Sequence, residues 1–213
     1  KFMGPIKTTI VGSLPKPEWL SDPEQLRAPW RQEGSALDQA QDDAVALSLI
    51  AQENAGLDII CDGEQRRRHY IWGFIENLGS VDFENPAKKQ SRGQRYSEET
   101  PAPRVLEEWT WTKPVLLDAL RFAKARTDKQ VKVTLPGPMT ISDTTADAHY
   151  GDPAKLGADL ARALNYEILA LVDAGCRHIQ VDEPLFARKP AETLEYGVEN
   201  LNRCFEGVGD DVA

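Results

Sequence analysis

Several features that would each announce a protein class are scarce or missing. Cysteine occurs three times in 213 residues, at Cys61, Cys176 and Cys204. An odd number, widely spaced, argues against a disulfide framework and makes a reducing cytoplasm the expected compartment. No apolar run approaches the roughly 20 residues of a membrane span, and Lys1-Phe2-Met3-Gly4-Pro5 lacks the apolar segment of a signal peptide. Positive charge is short: 25 Lys and Arg against 34 Asp and Glu leave a net charge of −9. That balance argues against a general binder of nucleic acid or of anionic membranes, which need basic faces. The absence of Gly-x-Gly-x-x-Gly and of a Walker loop lowers the case for a nucleotide-binding sheet.

What is present is a unit that recurs. Asn54-Ala55-Gly56-Leu57-Asp58-Ile59-Ile60-Cys61-Asp62-Gly63-Glu64 reads as a helix end, a glycine stop, a buried strand and an acidic tip. Asp173-Ala174-Gly175-Cys176-Arg177-His178-Ile179-Gln180-Val181-Asp182-Glu183 repeats that layout, and Pro184 then stops the strand. Thr8-Thr9-Ile10-Val11, broken by Gly12-Ser13, and Val131-Lys132-Val133-Thr134-Leu135, ended by Pro136-Gly137-Pro138, read as two more strands. Apolar spacing predicts helices over residues 35–55, after Pro114, over 153–174 and over 192–205. Residues 19–35 read as an irregular loop. Residues 80–112 break the rhythm and predict an excursion, a β-hairpin arm or lid.

Four strands alternating with helices predict a parallel α/β architecture, an open sheet or part of a barrel. A complete TIM (β/α)8 barrel takes about 250 residues. The expectation is therefore that residues 1–213 form the N-terminal half of a single barrel domain, with the remainder beyond Ala213.

Three strand tips carry the candidate chemistry: Gly12-Ser13, Asp62-Gly63-Glu64 and Asp182-Glu183-Pro184. Carboxylates converging at a barrel mouth repel one another unless a cation sits between them. Such carboxylates bind a metal, act as acid and base, or hold an ammonium group; each is equally an ordinary helix cap or salt-bridge partner. The Gly-Ser turn offers N–H donors and a hydroxyl suited to a carboxylate. Together the tips suit an α-amino-acid zwitterion, ammonium on Glu64 and Asp182, carboxylate on the Gly12-Ser13 turn.

Four segments in order, Thr8-Thr9-Ile10-Val11-Gly12-Ser13-Leu14-Pro15, Asp62-Gly63-Glu64, Leu135-Pro136-Gly137-Pro138-Met139-Thr140 and Ile179-Gln180-Val181-Asp182-Glu183-Pro184, resemble the catalytic domain of the cobalamin-independent methionine synthases. The resemblance implies a zinc-dependent TIM barrel that moves a methyl group from methyltetrahydrofolate or a methylcorrinoid-like donor to the thiol of homocysteine. It implies that Ser13 binds the homocysteine carboxylate, and that Glu64 and Asp182 hold its ammonium group. It also implies zinc ligands, a His-x-Cys pair followed by Glu and Cys, on later strands. No His-x-Cys occurs here, so no metal ligand is expected in this chain. The tryptophan that long members carry after Gly-Pro-x-Thr is replaced by Ser142-Asp143-Thr144-Thr145.

Thr140, His149, Glu183 and Arg66 are further candidates. The run Arg66-Arg67-Arg68-His69 reads either as neutralising the mouth or, more simply, as a solvated helix start with local salt bridges. His149 reads as a proton shuttle or a surface histidine, and Trp72, Trp109 and Trp111 as packing. Homocysteine and a methyl donor are the expected partners, without nucleic acid or membrane. A homo-oligomer or a complementing C-terminal fragment stays open. Alternative readings are an alkyltransferase to another small thiol, a uroporphyrinogen decarboxylase-like barrel enzyme, and a non-catalytic small-molecule-binding remnant.

Overall fold

The computed structural model describes residues 6–25, 27–90 and 99–213. Its centre is a three-stranded parallel sheet in the order β1 (Ile59–Ile60), β4 (Gln130–Pro136), β6 (His178–Asp182). The registers Ile60↔Val131 and Val133↔Ile179 align all three strand ends on one side. Side chains alternate across a sheet. Val131, Val133, Leu135, Ile179 and Val181 therefore face the helices, while Lys132, Thr134, Gln180 and Asp182 share the opposite, polar face.

The helices cover the apolar face. α1 (Gly34–Asn54) and α5 (Pro153–Asp173) run as their spacing predicts, and each ends at a left-handed glycine, Gly56 at φ 76° and Gly175 at φ 83°. α5 starts on Asp152, whose carboxylate accepts from the N–H groups of Ala154 and Lys155, with Pro153 in the first turn. Leu156, Leu160, Leu164, Ile168 and Leu171 of α5 are buried in the core, each worth about 1.5–3 kcal/mol of transfer free energy. Glu167 of the same helix is fully buried. Its carboxylate accepts from the Trp111 indole at 2.7 Å and from the N–H groups of Val115 and Leu116, capping the entry to α3 (Leu117–Lys124).

The excursion is an antiparallel hairpin of β2 (Gly79–Lys89) and β3 (Thr100–Thr110). Its register slips between Asp82 and Ala87, where Pro86 has no N–H to give the ladder. β3 also pairs in parallel with β5 (Ala146–Asp147), and the Lys89 ammonium donates to the Ser142 and Thr145 carbonyls at 2.9 and 2.7 Å. The Ser91-Arg92-Gly93-Gln94 run at its tip lies outside the described residues.

Three expectations need correction. Residues 8–11 are extended but are not a strand. The Thr8 N–H goes to the Asp58 carboxylate, and the Ile10 and Val11 carbonyls go to side chains of Lys132 and Gln180, so no ladder forms. The described residues accordingly hold three core strands rather than four, in a mixed α/β fold, and close no barrel. Residues 138–143, for which no helix is predicted above, form a short helix, α4 (Pro138–Asp143). The last helical stretch starts earlier than predicted, at α6 (Pro190–Glu192). It passes through a π turn over Thr193–Gly197 into α7 (Val198–Arg203). Among the described residues no helix is long and apolar enough to cross a membrane.

Candidate active site

The polar face of the sheet opens at the strand ends into the candidate site. Glu64 is 5% exposed and sits in a left-handed backbone at φ 58°, directly after Gly63 at φ 65°. A non-glycine residue there costs on the order of 1–3 kcal/mol, and such strain clusters at functional positions. Gly63 is required locally, because a Cβ would lie 2.2 Å from the Ser48 hydroxyl oxygen. The turn points the Glu64 carboxylate across the sheet, where Oε1 accepts from the Thr134 hydroxyl at 2.7 Å. Arg67, also 5% exposed, donates through Nη2 to the Thr134 carbonyl at 2.9 Å, and its Nη1 lies 3.8 Å from Glu64 Oε1. That separation makes an ion pair without a hydrogen bond. Glu64 Oε2, Arg67 Nη1 and Arg67 Nε are buried and have no hydrogen-bond partner among the described residues.

Gly12 closes against this pair, since a Cβ there would meet Glu64 Oε1 at 2.7 Å and the Thr134 side chain at 3.1 Å. Its loop is tied down by the Leu14 N–H on the Gly63 carbonyl at 3.0 Å and the Gln65 amide on the Leu14 carbonyl at 3.0 Å. Ser13 is exposed at the rim. Among the described residues the N–H groups of Gly12 and Ser13 donate to no acceptor. Lys16, half-buried on the same loop, has its ammonium pKa lowered first by burial, with Glu64, Arg67 and Asp62 acting on it electrostatically.

On the third tip, Asp182 Oδ1 accepts from the Gln180 amide at 2.7 Å. Burial raises the Asp182 pKa, while that hydrogen bond, Lys132 and Arg67 pull it down. Glu183 turns to the other side. Its carboxylate accepts from the Met139 N–H at 2.7 Å, the Thr140 N–H at 3.0 Å and the Thr140 hydroxyl at 2.9 Å, and so caps α4. Burial nevertheless pushes its pKa up to about 7, outweighing those hydrogen bonds.

Gly12 thus packs against Glu64, and Gln180 bonds both the Val11 carbonyl and Asp182, which puts these residues on the polar side of the strand ends, whereas Thr140 and Glu183 serve each other at the start of α4. His149 is exposed on a loop, its ring against Tyr150 at 5.0 Å. Of the arginine run, Arg66 pairs with Asp42 and Arg68 with Glu76 at 3.0 Å, as local salt bridges should. Arg67 departs from that bland reading, because burial and Glu64 draw it under the site. Sequence reasoning named Arg67 only as one of its run, and missed Lys16, Lys132, Thr134 and Gln180. A signal existed for the last three: Lys132 and Thr134, and Gln180 and Asp182, alternate with apolar residues in their strands.

Among the described residues no group of three or more His, Cys, Asp or Glu is placed to hold a metal. All three thiols are buried, with Cys61 and Cys204 pushed up to about 12 by burial and Cys176 raised. With no such group of ligands among the described residues, the residues present do not fit a zinc site.

This geometry can be set beside known proteins. The methionine synthase of Sulfurisphaera tokodaii is 34% identical over 204 residues, covering 95% of this chain and 59% of that protein. The methionine synthase of Saccharolobus solfataricus is 35% identical over 206 residues, with 95% and 60% covered. The chain thus spans about three fifths of the length of these curated relatives. A B12-independent methionine synthase from Shewanella sp. W3-18-1, solved in complex with selenomethionine, superposes with a TM-score of 0.89 at 40% identity. That match covers 94% of this chain and 58% of the other. The family described as cobalamin-independent synthase, catalytic domain, matches residues 6–202, and the strand tips that build the site all lie inside that span. The chain belongs to this family.

Proposed function

We propose that this chain carries the amino-acid-binding wall of a methyltransferase that transfers a methyl group to the thiol of homocysteine, giving methionine. The observation that carries the reading is Glu64 Oε2, a buried carboxylate oxygen with no donor among the described residues, held at a strained turn beside the strand ends. A buried acceptor left open in this way costs about 1–3 kcal/mol unless something donates to it. An α-ammonium group meets that need, with Asp182 at the end of β6, on the far side of β4, as its second partner. The Gly12 and Ser13 N–H groups and the Ser13 hydroxyl then receive the α-carboxylate, and Lys16 adds positive charge on that side. The Shewanella relative was solved with selenomethionine, a zwitterion of the same shape.

The domain reading is half of a TIM barrel. Support comes from the far edge of β6, where the Ala213 N–H donates to the Arg177 carbonyl at 2.9 Å and the Ile179 N–H to the Ala213 carbonyl at 2.8 Å. That is the bond pattern of a parallel pair, as a following strand would make. Zinc, which the resemblance implies, falls to residues outside these 213, and this chain's own part is binding and orientation. Methyltetrahydrofolate and a methylcorrinoid remain the donor classes. In the Ser142-Asp143-Thr144-Thr145 stretch that replaces the tryptophan of long members, the Thr144 hydroxyl accepts from the Trp72 indole at 3.3 Å. A decarboxylase-like arginine mouth is disfavoured, because Arg66 and Arg68 are already paired. The buried free thiols fit a reducing cytoplasm.

Titration calorimetry of homocysteine with the full-length protein tests the assignment. Glu64→Gln and Asp182→Asn should each weaken binding about 10- to 100-fold, the worth of a charge-assisted hydrogen bond. Unchanged affinity in both variants sinks it. Metal analysis of the same protein should find about one zinc per chain; none would remove zinc from the reading.

A further inference from the structure

The polar face of the sheet holds a buried lysine whose part in the site so far is only its electrostatic pull on Asp182. Lys132 is 6% exposed, in the middle of β4, and burial lowers its pKa. Among the described residues no carboxylate bonds to it directly. Its ammonium donates to the Ile10 carbonyl at 2.5 Å, to the Gln180 Oε1 at 2.6 Å and, at longer range, to the Val11 carbonyl at 3.4 Å. Gln180 passes the connection on. Its Nε2 donates to the Val11 carbonyl at 2.8 Å and to Asp182 Oδ1 at 2.7 Å.

Every polar atom of the Gln180 amide is thereby used, and its orientation has one solution. A flipped amide would set Oε1 against two acceptor oxygens and its NH2 against an ammonium. Lys132 can only donate, so it selects the orientation that aims Nε2 at Asp182. The same two residues hold the carbonyls of Ile10 and Val11, and the Cys61 thiol holds that of Gly12 at 3.4 Å. With its carbonyls turned into the sheet, the backbone leaves the N–H groups of Gly12 and Ser13 for the opening.

We propose that Lys132 and Gln180 are positioning residues that join the two walls of the pocket, fixing the distance between Asp182 and the Gly12-Ser13 turn. The proposal rests on the zwitterion reading above and adds the element that selects for it. An amino acid engages both walls at once only if their spacing is held. A ligand with one charged end needs a single wall and gains little from the link.

Calorimetry with three probes separates this role from general stabilisation: L-methionine, L-methioninol, which lacks the carboxylate, and the desamino analogue of methionine, which lacks the ammonium group. The full-length wild-type protein should prefer methionine over either analogue by at least about tenfold, the scale of one charged contact. In Gln180→Met that preference should collapse towards unity while the analogues bind nearly as before. Lys132→Met, which frees the Ile10 carbonyl and the Gln180 Oε1, should do the same, and serves if the first variant folds poorly. Loss of all three affinities by one common factor, or no change, overturns the proposal and leaves the zwitterion reading standing. A wild-type protein that does not bind methionine overturns both.

Discussion

Arg67→Met should lower the unfolding free energy by about 3–5 kcal/mol, the cost of removing one partner from a buried charge pair. Glu64 and Arg67 are each 5% exposed, so neither charge is relieved by water. Without the guanidinium, Glu64 keeps only the Thr134 hydroxyl on Oε1, and the Thr134 carbonyl loses its donor. Urea titration at pH 7 measures the loss directly. Glu64→Gln/Arg67→Met should be closer to wild type than Arg67→Met alone, since the double variant leaves no uncompensated carboxylate. A single variant within about 1 kcal/mol of wild type would show that the pair is solvated after all.

Gly137→Ala should be nearly as damaging, with a pH signature. A Cβ at residue 137 would lie 2.2 Å from Glu183 Oε1 and 2.3 Å from its Cδ, so the side chain must leave. The N–H groups of Met139 and Thr140 then lose their cap, at a cost of about 3–5 kcal/mol when two buried donors and the Thr140 hydroxyl are left open. Folding raises the Glu183 pKa from 4.5 to about 7, so its neutral form is favoured in the native state. The stability tied to it is full below pH 4.5 and is lost as pH rises through 7, on the order of 3 kcal/mol in all. In Gly137→Ala the carboxyl moves towards water and that dependence goes with it. The variant should therefore be penalised more at pH 5 than at pH 8. An equal penalty at both pH values would show that Glu183 is not ionising in its buried seat.

How much of this could be read beforehand differs between the elements. The glycine stops at Gly56 and Gly175, the capped start of α5 and the acidic tips are local features, and local rules found them. The segment at residues 8–11 misled because β-branched residues mark extended chain, not a ladder. Whether such a chain pairs depends on which groups claim its carbonyls, and here Lys132 and Gln180 claim them. The arginine run misled for a related reason. Three consecutive arginines look alike in sequence, yet Arg66 and Arg68 reach surface acids, while Arg67 is drawn beneath the site.

Local sequence established the long helices α1 and α5, the α/β class, the family and the segments that bear Gly12-Ser13, Glu64 and Asp182. Each of these follows from neighbours along the chain, through hydrophobic period, turn chemistry and motif. Tertiary structure alone decided which carboxylate faces the opening. Asp182 and Glu183 are adjacent, but successive side chains point to opposite sides, and Glu183 is held by the N-terminus of a helix more than 40 residues earlier. It likewise decided that Lys132, 48 residues before Gln180, orients the amide beside Asp182. Hydrogen bonds between distant residues depend on register, and register is settled only when the sheet packs.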